Sequence, residues 1–98
     1  MTDDELIPIE LFCSSFQVDV RFVNALHEAG LVHVVRRERH SFIPGEELAG
    51  LERMLRLHQD LGIDPEGLGA IEQLLGQMAS MREELRVLRN RLRRYESD

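Results

Sequence analysis

Ile71, Leu74, Met78, Met81, Leu85, Leu88, Leu92 and Tyr95 recur at alternating steps of three and four along the last third of the chain, with one glycine and no proline among them. Apolar side chains that repeat every 3.5 residues stay in one narrow seam as a helix advances. At 1.5 Å per residue this seam is about 37 Å long. It calls for a second helix of similar length, and the 98-residue chain holds no other segment that could supply one. The sequence therefore predicts a homodimer joined by a C-terminal coiled coil. With Ile71 as the first core position, a parallel pair sets Glu84 against Arg89 and Arg91 against Glu96, both attractive, whereas an antiparallel pair opposes some like charges. Such pairs contribute about 0.3–0.5 kcal/mol each, so orientation stays open.

The length, with 43% hydrophobic residues, suits one small domain plus an appendage. Residues 1–63 are expected to form the domain and residues 64–98 the dimerisation helix. A single Cys gives no disulfide framework and suits a reducing compartment. No apolar run reaches membrane-spanning length and no signal peptide is visible, so a soluble, cytoplasmic protein is expected.

The net charge of −6 is unevenly spread. Residues 1–63 hold 11 acidic and 6 basic residues, and the remainder is nearly neutral. Every basic residue is Arg, and six (Arg82, Arg86, Arg89, Arg91, Arg93 and Arg94) lie in the final helix. Nucleic-acid affinity comes largely from neutralising phosphates, so an acidic domain argues against DNA and favours a basic protein partner. Asp19, Glu28, Glu46, Glu47, Glu52 and Asp60 are the candidate partner-binding residues. Arg86, Arg89, Arg93 and Arg94 could form a nucleic-acid stripe, but Glu83, Glu84 and Glu96 interrupt it, which favours surface pairing. Arg36, Arg37 and Arg39 form the remaining basic patch.

An enzyme is not expected. Cys13, beside Phe12 and Phe16, suits a small core group. His27, His33, His40 and His58 lack the spacing of a zinc site, and no phosphate-cradling glycine loop is present. No catalytic residue, metal or cofactor is therefore assigned.

Along the chain, residues 1 to 5 read as a solvated leader. Pro8 opens a short helix whose apolar side is Ile9, Leu11, Phe12, Cys13 and Phe16, ending near Ser14 and Ser15 in a turn. Asp19 caps a second helix in which Phe22, Val23 and Leu26 share a face, and Gly30 closes it as a left-handed cap. Two short helices joined in this way form a helix-turn-helix. Leu31 to Val35 and Ser41 to Ile43 read as the two strands of a hairpin, or wing, around a charged turn. A third helix follows Pro44 and Gly45, with Leu48, Leu51, Met54, Leu55, Leu57 and Leu61 on its apolar face and Gly62 at its end. Asp64 and Pro65 start the last helix. Gly67, Gly69 and Gly76 are expected to weaken it by about 1 kcal/mol each relative to Ala.

The order helix-turn-helix, Gly30-Leu31, wing, a helix ending in Leu55-Arg56-Leu57-His58-Gln59-Asp60-Leu61-Gly62-Ile63, and a long dimerising helix resembles the winged-helix module of MerR-type regulators. Leu11-Phe12-Cys13, Arg56 to His58, and the closing Leu85, Leu88, Arg91, Leu92 and Tyr95 resemble the chaperone-modulator branch, the CbpM family. That resemblance implies a mainly α MerR-like winged helix-turn-helix with a two-stranded wing, followed by a long coiled-coil helix. It also implies an inhibitor of a DnaJ/CbpA-like co-chaperone, binding its J-domain and blocking stimulation of the DnaK-type chaperone. The chain departs from DNA-binding MerR proteins, which carry an Arg-Tyr pair in the second helix and Gly-Tyr-Arg in the wing. Here the helix exposes Arg21, Asn24, His27 and Glu28 behind Asp19, and its charges cancel. The alternative is a MerR-like DNA-binding transcriptional regulator; a third possibility is an adaptor for an unrelated partner.

Overall fold

Gly62, in the left-handed region at φ 68°, ends the third helix and divides the chain into a head and one long helix. The computed structural model describes residues 5–96, so the leader, apart from Glu5, lies outside the described residues. Strand β1 (Leu6–Pro8) leads into helix α1 (Ile9–Phe16), then α2 (Val20–Glu28), strands β2 (Val35–Arg37) and β3 (His40–Pro44), a 3-10 turn (Gly45–Glu47), α3 (Leu48–Leu61) and α4 (Pro65–Glu96). No helix is long and apolar enough to cross a membrane.

The wing has one strand more than the sequence reading gave it. β3 is central, pairing antiparallel with β2 (Arg36 opposite Ser41) and with β1 (Ile7 opposite Ile43). Leu6-Ile7-Pro8 is too short to announce itself as a strand. It forms because the edge of β3 is otherwise unpaired, and Pro8, lacking an N–H, is tolerated at its end. The backbone N–H of Gly45 closes this edge by donating to the Glu5 carbonyl at 2.7 Å. Conversely, Leu31 to Val34 are not strand: after Gly30 (φ 77°) they cross the head irregularly, with Val32 buried in the core.

Ile9 and Phe12 of α1, Phe22, Val23 and Leu26 of α2, Ile43 of β3, and Leu51, Met54 and Leu55 of α3 form the head's core. The first helix runs through the expected serine turn to Phe16 and is capped by Gln17 in the left-handed region. Its apolar stripe is narrower than expected. Phe16 rests on Phe12, ring centroids 4.8 Å apart, at the exposed rim, while Leu11 lies off the stripe and is exposed. At the end of α3 the inward position belongs to His58 rather than Leu61, which is exposed. The His58 ring stacks on Phe22 at 4.6 Å, and its Nδ1 donates to the Ile63 carbonyl at 2.8 Å. A histidine can do both because its faces are apolar and its edge is polar.

The last helix starts on the head and leaves it. Asp64 caps it, accepting from the Gly67 N–H at 2.8 Å. Leu68, wholly buried, plugs its first turns into the core. Arg53 of α3 donates to both carboxylate oxygens of Glu72, at 3.2 and 2.5 Å. Beyond this junction α4 projects into solvent, its 32 residues giving a rod about 48 Å long. The radius of gyration is 17.9 Å, against about 13 Å for a compact chain of this length.

The three glycines of α4 are not equivalent. A Cβ at Gly67 would lie 2.8 Å from Ile63 Cγ2, and Ile63 is packed against the core, so space and not tolerance explains that glycine. Nothing lies within 4 Å of a Cβ at Gly76. Urea unfolding should therefore show Gly67→Ala destabilised despite the better helix propensity of alanine, and Gly76→Ala stabilised by about 0.5–1 kcal/mol. Cys13 packs partly buried against the core, and its thiol is pushed above its ordinary value, first by burial and then by the nearby Asp19 charge. At neutral pH its reaction with an aromatic disulfide reagent should be slower than that of an unfolded cysteine, accelerating when denaturant opens the head.

Candidate functional site

Helix α2 begins as an N-cap residue dictates. Asp19 Oδ1 accepts from the Arg21 backbone N–H at 2.8 Å, and its Oδ2 accepts from the Arg21 guanidinium at 2.9 Å. These hydrogen bonds hold the Asp19 carboxyl below the usual carboxylate range, the guanidinium bond contributing most. The interaction is therefore complete above the ordinary aspartate pKa and is lost as pH falls through the lowered one. The one arginine of α2 is thus paired within its own turn. His27 is also exposed, although its Nδ1 donates to the Val32 carbonyl at 3.2 Å. Asn24 and Glu28 complete the exposed face, as the sequence indicated. A helix that reads a DNA groove needs a face tolerant of phosphates, and this face presents one internally neutralised cation between two carboxylates.

Positive charge sits instead on the wing. Glu38, in the left-handed region at φ 59°, and Arg39 form the tip of the hairpin, which places Arg36 and His40 on its two strands. Arg36 Nε donates a long hydrogen bond to Ser41 Oγ at 3.4 Å. With β1 added to the sheet, the wing, the start of α1 and the start of α2 enclose an open groove of about 370 Å³. Pro8, Val20 and Phe42 give it apolar surface, while Arg36, Arg39 and His40 line one side and Glu10 and Asn24 also border it. The wing arginines are evident in the sequence; the groove is not. Without β1 there was no sign that the start of α1 faces the wing.

The six candidate partner-binding acids are distributed over the head. Asp19 and Glu28 lie at opposite ends of α2, Glu46 and Glu47 in the 3-10 turn, and Glu52 and Asp60 about two turns apart along α3. Two of them are engaged within the chain. Asp19 holds Arg21, and Glu47 accepts from the His33 backbone N–H at 2.7 Å and meets its Nδ1 at 2.6 Å. Glu28, Glu46 and Asp60 are exposed and Glu52 is half-buried. Asp60 borders a shallow depression shared with Arg53, Arg56, Leu57 and the exposed Leu61.

The eight heptad residues lie along α4. Ile71 is half-buried near the junction, and the other seven are exposed in the single chain, including Leu74 (58%), Leu85 (51%), Leu88 (57%) and Leu92 (57%). Surface pairing within the arginine stripe, expected from the sequence, is present at Arg86, which is bound by Glu83. Arg82, Arg86, Arg89 and Arg93 line one side of the helix together with Leu85, because steps of four, three and four residues return to the same face. Glu83 lies off that side and pairs with Arg86 at 2.6 Å, which lowers the Glu83 carboxyl. The basic ridge runs alongside the seam, where it flanks whatever covers those leucines.

Among the described residues no group of three or more His, Cys, Asp or Glu is placed to hold a metal ion. No curated protein and no solved structure matches the chain. The family model for MerR HTH family regulatory proteins matches residues 7–90. That span runs from β1 through the helix-turn-helix, wing and α3 into the seam of α4, and the chain belongs to this MerR family of helix-turn-helix regulatory proteins.

Proposed function

We propose that the protein is a non-enzymatic modulator that acts as a homodimer in the cytoplasm. In this reading it belongs to the CbpM branch, binds the J-domain of a DnaJ/CbpA-like co-chaperone and blocks its stimulation of the DnaK-type chaperone. The observation that carries this reading is the charge of α2: its one arginine is tied to Asp19, and Glu28 adds negative charge to the same helix. A head of this composition repels phosphates and attracts basic protein surfaces. Charge matching would speed association and select the partner, while apolar contacts set the lifetime of the complex. Inhibition then needs only competition for the J-domain surface, with no chemistry by this chain.

The dimer carries the seam. Burying a leucine completely contributes about 1.5–3 kcal/mol, so a row of half-exposed heptad residues is a strong reason for two copies to pair. Sedimentation equilibrium at micromolar concentration should give twice the monomer mass for the native chain and the monomer mass for Leu85→Glu, with the head still folded by circular dichroism. A monomeric native chain would remove the dimer from this reading.

For the partner, isothermal titration with a DnaJ/CbpA-like J-domain should give saturable heat, and addition of the chain should suppress J-stimulated ATP hydrolysis. Glu46→Lys with Asp60→Lys should slow association several-fold, consistent with steering by charge. Absence of both heat and co-elution on size exclusion would sink the assignment.

The second reading, a DNA-binding regulator, is favoured by one observation, the basic side of the groove beside α2. Under it, duplex binding should fall steeply with salt and depend on Arg36, Arg37 and Arg39, and a palindromic site would match the dimer. No duplex binding at low salt eliminates it.

A further inference from the structure

The groove between wing and α2 combines two properties that neither reading above uses together. The head carries 11 acidic and 6 basic residues over positions 1–63, yet three of those six arginines lie at 36, 37 and 39. Two of the three, with His40, line the groove. The surface they border is not wholly polar: Val20, 45% exposed at the first position of α2, lines it, and Pro8 lies beside it. An exposed valine beside arginines is poorly served by water alone, and no part of the described chain covers it.

We propose that this groove binds a short segment of a protein partner in which a carboxylate stands next to an aliphatic side chain. The aliphatic group rests on Val20, and the carboxylate takes the guanidinium groups of Arg36 and Arg39. Arginine suits this because its planar fork of donors matches a carboxylate. A small inorganic anion would satisfy the arginines but leave the apolar surface wet. A DNA backbone would do the same. Basic wall, apolar surface and open ends together fit an extended acidic and aliphatic peptide. This goes beyond the modulator reading and stands whether or not a J-domain is the head's partner.

Fluorescence anisotropy with the full chain tests it. The probe is a capped, fluorescein-labelled peptide carrying Leu-Asp-Leu-Asp, with Leu-Lys-Leu-Lys and Ser-Asp-Ser-Asp versions as controls and a random-sequence DNA duplex as competitor. The acidic, aliphatic peptide should bind saturably and more tightly than either control. Arg36→Glu with Arg39→Glu should weaken it by about tenfold or more, since a charge-assisted contact is lost. Val20→Ser should weaken it separately while leaving the helical signal intact. Because Val20 and both arginines are exposed, an unfolded double variant would be replaced by Arg39→Ala, expected to show a smaller loss in the same direction. Equal binding of the Ser-Asp-Ser-Asp peptide, insensitivity to both substitutions, absence of peptide binding, or binding of the duplex alone would each overturn the proposal.

Discussion

The junction at which α4 leaves the head sets what every other surface can do, because it fixes where about 48 Å of helix points. Two contacts make it, and they differ in kind. Leu68 is wholly buried in the head's core, worth about 1.5–3 kcal/mol by burial. The Arg53–Glu72 pair is partly exposed and so contributes about 0.2–1 kcal/mol at most. Burial therefore holds the helix to the head, and the ion pair, a turn further along, fixes its rotation. Asp64 and Gly67 make the approach possible, one by capping the helix and the other by leaving room for Ile63. Rotation matters because the heptad face is narrow: one turned toward the head would be buried in the same chain, and one turned away is left to a second helix.

Within the head, histidines and carboxylates perform the bracing that a larger core would do by packing. His58 joins α3 to α2 by stacking on Phe22 and to the approach of α4 by its bond to Ile63. His27 braces the turn after α2 through Val32, and the His33–Glu47 contact joins the irregular crossing segment to the start of α3. Each spans a place where the chain reverses and few apolar side chains meet. A domain of this size has little apolar surface to bury, so its turns depend on polar side chains that also have an apolar face.

What the sequence made legible follows from the range of the interactions involved. The Asp19 cap, the Phe22-Val23-Leu26 face, the ends at Gly30 and Gly62, and the Asp64-Pro65 start all depend on residues within one or two turns, and all stand in the structure. β1 was invisible because three residues carry no periodicity and acquire strand geometry only from β3, more than thirty positions away. The groove depends on that strand and was hidden with it. Along the last helix the sequence shows charges of both signs, and the structure adds which arginines share a side: rotation by 100° per residue brings Arg82, Arg86, Arg89 and Arg93 together, with Arg86 paired to Glu83. Of the candidate acids, composition could count charges but not see that Asp19 and Glu47 are already engaged.

That last point changes what acidity can be asked to do. With Asp19 and Glu47 engaged in the fold, the candidate acids left to act outward are Glu28, Glu46, Glu52 and Asp60, which are spread over three elements and form no single patch. Spread charge is poor at gripping but effective at excluding, since a net-negative head disfavours phosphate over most of its surface, the wing excepted. Specificity is a difference between affinities, and rejecting the wrong partner serves as well as holding the right one. An α2 whose one arginine is neutralised by its own cap presents little charge to a phosphate, while the groove beside the wing remains. The shape remains available for a ligand, and the charges decide which class of ligand can reach it.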